Sequence, residues 1–145
     1  MTSARRWLLL VAFVVGCGKS EPAPPDLTQA VQDAKGETGI VAFSKVFPGE
    51  WERMFIVPPY TSAPEARRIT GTKWYGYLGS GIATRGDITL VVFLNKDKTV
   101  AGGGMVKRYA LNLNSVYRLG GYSREEAKFQ FVDRDTVTLV DASAP

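Results

Sequence analysis

The reactive inventory of this chain is one cysteine, six tyrosines, 14 carboxylates, 18 lysines and arginines, and no histidine. Histidine is the usual general base at neutral pH and the commonest metal ligand, so its absence removes serine–histidine and cysteine–histidine catalysis and the usual zinc sites. Carboxylate, lysine or tyrosine chemistry stays open. General acid and base work needs two carboxylates converging on one cleft. Asp97, Glu125, Glu126, Asp133 and Asp135 instead sit in stretches that read as turns or loops, hence as solvated surface. Gly79-Ser80-Gly81 with Gly86 offers a glycine-rich run. No Lys-Ser or Lys-Thr follows it, and no helix is expected to begin there to present N–H groups to a phosphate.

Aromatic side chains are the better candidates for recognition. Trp74, Tyr75 and Tyr77 alternate with small residues and could stack on a sugar ring or on a partner's side chains, with half-buried sheet packing as the favoured competitor. Trp51, Tyr60 and Arg108 form a second candidate set, lining a groove at a strand end; the competing reading is a core Trp and a Tyr stacked on proline. Arg67-Arg68 and Lys107-Arg108 are isolated basic doublets, expected to be solvated or ion-paired.

The elements that must position these groups can be read from periodicity and caps. Asp26 precedes Leu27, Ala30, Val31 and Ala34 at helical spacing, and Gly36 supplies a stop. Residues 40–46 and 51–57 read as strands, the second closed by Pro58-Pro59. Ser62 and Glu65 form a capping box that opens a helix over residues 63–70, ended by Gly71. Residues 73–86 suit a bent strand or an aromatic-rich loop. Residues 88–94 and 99–109 make one hairpin, with Gly102-Gly103-Gly104 marking a bulge or a close approach by another backbone. Residues 128–132 and 136–140 make a second, with Phe129, Phe131, Val137 and Leu139 toward the core. The fold class is therefore α+β: an antiparallel sheet of about five strands with one or two short helices, a closed or half-closed barrel being the alternative.

The amino terminus is of a different kind. Arg5 and Arg6 precede the apolar run 7–15, and Gly16 precedes Cys17, the layout of a secretory signal. Nine apolar residues fall well short of the roughly twenty that span a bilayer as a helix. Val14-Val15-Gly16-Cys17 resembles the lipobox of bacterial lipoproteins at all four positions. That resemblance implies cleavage before Cys17 and diacylglycerol on its thiol, with acylation of the new amine. Two or three acyl chains anchor firmly where one would be marginal. Gly18 stands where some relatives of this class carry the Asp that retains them at the inner membrane, so the outer membrane facing the periplasm is favoured. A plain signal with an incidental cysteine is the alternative.

The expected organisation is a signal over 1–16, a lipidated cysteine and proline-rich tether over 17–26, and one exported domain over 27–141. Losing Arg5 and Arg6 takes the 18 Lys and Arg to 16 against 14 Asp and Glu, a balance of +2 that gives no reason to propose nucleic acid. The stretch from Trp51 through Glu52 and Pro58-Pro59 to Tyr60 also loosely resembles small bacterial lipoproteins, over residues 47–108, and brings no activity with it. The leading expectation is a lipid-anchored envelope protein, without cofactor or metal, whose domain binds a protein or supports an assembly. An inhibitor or immunity protein against a periplasmic enzyme, acting through residues 73–86, is the second expectation. A carboxylate- or tyrosine-based enzyme is the third.

Overall fold

The computed structural model describes residues 21–140, so Cys17 and the signal lie outside the described residues. In chain order its elements are α1 (Thr28–Lys35), β1 (Ile40–Ala42), α2 (Phe43–Val46), β2 (Arg53–Val57), α3 (Ala63–Thr70), α4 (Gly76–Gly79), β3 (Ile88–Leu94), β4 (Val100–Lys107), β5 (Tyr122–Ser123), β6 (Lys128–Phe131) and β7 (Val137–Leu139). Short 3-10 turns cover Ile82–Thr84 and Leu113–Val116.

The organising element is β3. Its seven residues are almost all apolar and all buried, and such a run needs cover on both faces of its sheet. Because side chains alternate along a strand, Leu90, Val92 and Leu94 enter one core while Val91 and Phe93 enter another. The first core is closed by Ala66 and Ile69 of α3, by Tyr77 and by Ile82. The second is closed by Val31 of α1, Phe43 of α2, and Val41, Phe129 and Val137 from a second sheet.

The described residues thus form two antiparallel sheets, ordered β4-β3-β2-β5 and β1-β6-β7, in an α+β fold with no closed barrel. The two expected hairpins are present but lie in different sheets. Phe129 and Val137 are core and Phe131 is half-buried against it, whereas Leu139, expected inside, is 39% exposed.

The strand expected over 40–46 ends at Ala42. There the chain turns into α2, which sets Phe43 edge-on to Phe129 with centroids 5.7 Å apart. The helix over 63–70 keeps its expected ends: Ser62 Oγ accepts from Glu65 N–H at 3.3 Å, and Gly71 adopts the left-handed conformation that a helix stop favours. Asp26 Oδ1 accepts from Thr28 N–H at 2.9 Å at the start of α1.

The glycines of β4 serve the anticipated close approach, while the bulge falls beside them at Ala101. The register with β3 shifts between Phe93 and Leu94. A Cβ on Gly104 would lie 2.6 Å from the Pro25 carbonyl oxygen, and one on Gly103 would lie 2.9 Å from the Trp74 ring.

The close approach at Gly104 corrects the expected tether. Met105 N–H donates to Pro25 O, and Leu27 N–H donates back to Met105 O, both at 2.8 Å, so residues 25–27 run as a strap along the free edge of β4. An edge strand left bare would be a template for unwanted pairing. Upstream, the Pro22 carbonyl lies against Gly79, where an added Cβ would meet it at 1.9 Å. The folded body therefore begins near residue 22 rather than at Leu27.

Candidate functional site

Pro58 and Pro59 cannot donate backbone hydrogen bonds, so pairing of β2 stops at Val57 and the chain leaves the sheet. Tyr60 then adopts φ +60, a region that bulky residues rarely occupy. Its N–H is fixed by Ile82 O at 2.9 Å. Its ring lies over Gly86, where a Cβ would come within 2.4 Å of the phenol oxygen, and the residue remains 69% exposed.

Arg108 reaches the same segment from the end of β4. Its Nη1 donates to Gly86 O at 2.8 Å and its backbone N–H donates to Asp87 O at 3.0 Å, while Nε is buried without a partner. Tyr109, the next residue, is 73% exposed. Beneath them Arg85 grips Asp87 through two hydrogen bonds of 2.9 and 2.7 Å, with Lys107 Nζ 3.7 Å from the same carboxylate. The Arg85 hydrogen bonds, foremost, hold the Asp87 carboxyl at about 2. The arrangement brings an outward Tyr60 and the half-buried Arg108 together at Gly86, with Tyr109 exposed one residue further along the chain.

Trp51, expected beside Tyr60 and Arg108, belongs elsewhere. It precedes β2 whereas Tyr60 follows it, and five strand residues put roughly 15 Å between the two ends. Trp51 is buried, donates from Nε1 to Phe47 O at 2.8 Å, and packs on Phe93 with centroids 4.8 Å apart.

The set Trp74, Tyr75 and Tyr77 is also divided. Residues 73–86 form neither a strand nor an open loop but successive short helical turns. Helical spacing places residues three apart on one side. Trp74 and Tyr77 accordingly turn inward, edge to face at 5.6 Å, while Tyr75 and Leu78 turn out at 43% and 68% exposure. Tyr77 is core: its hydroxyl hydrogen-bonds Thr70 Oγ1, and burial pushes its phenol above 10. Leu78 is a surface residue that the alternating pattern passed over. Helical turns also appear where none was expected to begin at Gly79-Ser80-Gly81, but they are three and four residues long, and Ser80 Oγ is used to accept from Ile82 N–H.

Charges scattered in sequence gather around α3. Arg67 and Lys73 border a depression of about 410 Å³ that Trp74, Tyr75, Leu78 and Glu21 also line. A neighbouring groove of about 510 Å³ has Phe55, Ile69 and Leu94 along it and Arg53, Lys96 and Lys98 at its rim. The doublet Arg67-Arg68, isolated in the sequence, thus has further cations near it in space: Arg67 beside Lys73 at one depression, Arg68 beside Arg53, Lys96 and Lys98 at the other. Arg68 pairs with Glu65; Arg67 and Lys73 join no ion pair among the described residues.

The carboxylates serve their own turns, as their contexts suggested. Asp97 accepts from Thr99 N–H and hydroxyl, and Asp133 accepts from Arg134 N–H. Glu126 is held at about 2, first by Arg118 and then by Ser123. Among the described residues no group of three His, Cys, Asp or Glu side chains is placed to hold a metal. No protein-family model matches the chain, and neither a curated protein nor a solved structure matches it.

Proposed function

We propose that this is a lipid-anchored cell-envelope protein, attached through Cys17 at the periplasmic side of the outer membrane, whose domain binds a protein partner and carries out no reaction. The observation that carries the binding role is Tyr60. A left-handed backbone costs a bulky residue about 1–2 kcal/mol, and the chain accepts that strain to hold an exposed ring rather than to fill a core. Strain kept at the surface is characteristic of sites under functional selection. Arg108 and Tyr109 complete a set whose residue types dominate the energetics of protein interfaces.

The carboxylates support the non-catalytic reading, because those with displaced pKa values are pulled down by hydrogen bonds to Arg, Ser or Thr partners. A general acid at neutral pH needs the opposite displacement. The lipobox resemblance carries the anchor.

Two measurements test the proposal. Metabolic labelling with a fatty acid should mark the wild type and not Cys17→Ser; equal labelling removes the anchor. Tyr60→Ala and Tyr109→Ala should leave the melting temperature nearly unchanged, since exposed substitutions cost under about 0.5 kcal/mol. They should also weaken capture of a partner from solubilised envelope by roughly 30-fold. Undiminished capture by both variants would remove the corner as the recognition surface.

A further inference from the structure

We infer that the face formed by the 74–79 turn and the cations of α3 rests against the membrane, on a bilayer surface carrying anionic phospholipid headgroups. This rests on the lipid-anchored reading for the position of the acyl chains. The rest comes from where the folded body starts. Pro22 is seated on Gly79, and Glu21 borders the same depression as Tyr75, Leu78, Arg67 and Lys73. Only four residue steps separate Glu21 from Cys17. A chain cannot advance more than about 3.6 Å per residue, so the acylated cysteine lies within roughly 14 Å of Glu21 whatever path those residues take. A proline tether running to Asp26 would have let the domain stand off; the docked strap removes most of that length. The surface nearest the bilayer is then the one around Glu21.

The chemistry of that surface matches a headgroup layer. Leu78 is 68% exposed and Tyr75 is 43% exposed, side by side on one turn, with the Trp74 ring half-buried behind them. Aromatic and aliphatic groups of this kind settle at the headgroup boundary. Arg67 and Lys73 flank them. Glu21 is the carboxylate bordering this depression, and it reduces the positive excess without reversing it. Each cation brought to an anionic membrane surface contributes roughly a five-fold shift in partitioning. The Tyr60 corner is a separate set of residues and is not used in this contact.

The test uses the mature acylated protein reconstituted into vesicles, with lipids carrying a doxyl quencher at headgroup depth. Of its tryptophans, Trp51 is buried in the core on the opposite face of the four-stranded sheet, so quenching reports on Trp74. Vesicles containing phosphatidylglycerol should quench the wild type strongly, and all-phosphatidylcholine vesicles should quench it less. The double variant Arg67→Glu, Lys73→Glu should remain vesicle-bound through its acyl chains while its ratio of docked to undocked protein falls at least roughly 25-fold, two five-fold steps. Leu78→Glu should lose quenching as well, and unchanged melting temperatures establish that both variants fold.

Quenching that is absent in the wild type, or equal in wild type and variants, overturns the inference while leaving the anchor intact, and frees this face for a protein. A mature protein lacking acyl mass and failing to float with vesicles overturns the anchor, and the inference with it.

Discussion

At the 74–79 turn and at the Tyr60 corner the chain puts similar residues to opposite use. Both are aromatic segments that follow a break in regular structure, and both are laid on a glycine. In the turn, helical spacing sends Trp74 onto Gly103 and Tyr77 into the core, leaving only Tyr75 and Leu78 outside. At the corner, Pro58-Pro59 and a left-handed Tyr60 swing the ring away from the sheet, and Gly86 supports it from below without enclosing it. An aromatic residue is therefore assigned to core or surface by the direction in which the local chain points its side chain, not by the density of aromatics around it: Tyr75 and Tyr77 share a helical backbone and face opposite ways. The turn buries Tyr77 and presents a small apolar edge; the corner leaves the Tyr60 ring exposed.

The sharpest way to break this contrast is to truncate within the turn. Tyr77→Ala removes a fully enclosed ring and its hydrogen bond to Thr70, and should cost about 3–5 kcal/mol. Tyr75→Ala, two positions away and outward, should cost under about 0.5 kcal/mol. Equal melting temperatures for the two variants would contradict the division of the turn into an inner and an outer side.

A smaller effect is expected at the strap that brings the chain to the turn. Gly104→Ala drives a methyl to within 2.6 Å of Pro25 O and 2.5 Å of Leu27 Cγ. Overpacking of this kind costs about 1–3 kcal/mol. Hydrogen exchange should show loss of protection at Leu27 and Met105 N–H, with the corner unaffected. Retained protection at both amides would mean the strap tolerates the methyl.

The smallest effects concern pH, and the two regions should respond at opposite ends of the scale. The Asp87 carboxyl at the corner lies near 2 against an ordinary value of 3.8. Its contribution to stability is present above about pH 4 and is lost as pH falls through about 2. The Tyr77 phenol in the turn is raised above its ordinary value of 10.0. Its contribution is present below pH 10 and is lost as pH rises through the higher folded value. Asp87→Asn should therefore flatten the acid limb of a melting-temperature profile, and Tyr77→Phe should flatten the alkaline limb. Because Asp87 is exposed, solvent screens its ion pair and the acid effect should be slight. A variant that flattens the wrong limb would show that its group does not titrate as its surroundings require.

Much of the architecture was legible locally. The continuous apolar run of β3, the Ser62 cap with its Gly71 stop, and the turns closing both hairpins each depend on residues a few positions apart, and each forms as read. Residues 40–46 misled because β-branched and aromatic residues favour strands, while the need to bury Phe43 against Phe129 across the fold favoured a helical turn. The candidate sites were legible only in part. Tyr60 and Arg108 converge at Gly86 as expected, but Trp51, near Tyr60 in the sequence, lies a strand's length away. The alternation of Trp74, Tyr75 and Tyr77 suggested a period of two where the turn has a helical period.

By itself the sequence determined the α+β class, the lack of histidine chemistry, the expectation of a lipid anchor at Cys17 and the inventory of aromatics, because composition and short-range spacing suffice for each. Only the tertiary structure decided that the two hairpins belong to different sheets, that residues 25–27 seal the edge of β4, and that Arg67 and Lys73 border one depression while Arg53, Lys96 and Lys98 border another. These depend on contacts between segments tens of residues apart. Their partners are chosen by which apolar faces can be buried together, a global packing condition that no local window of residue types encodes.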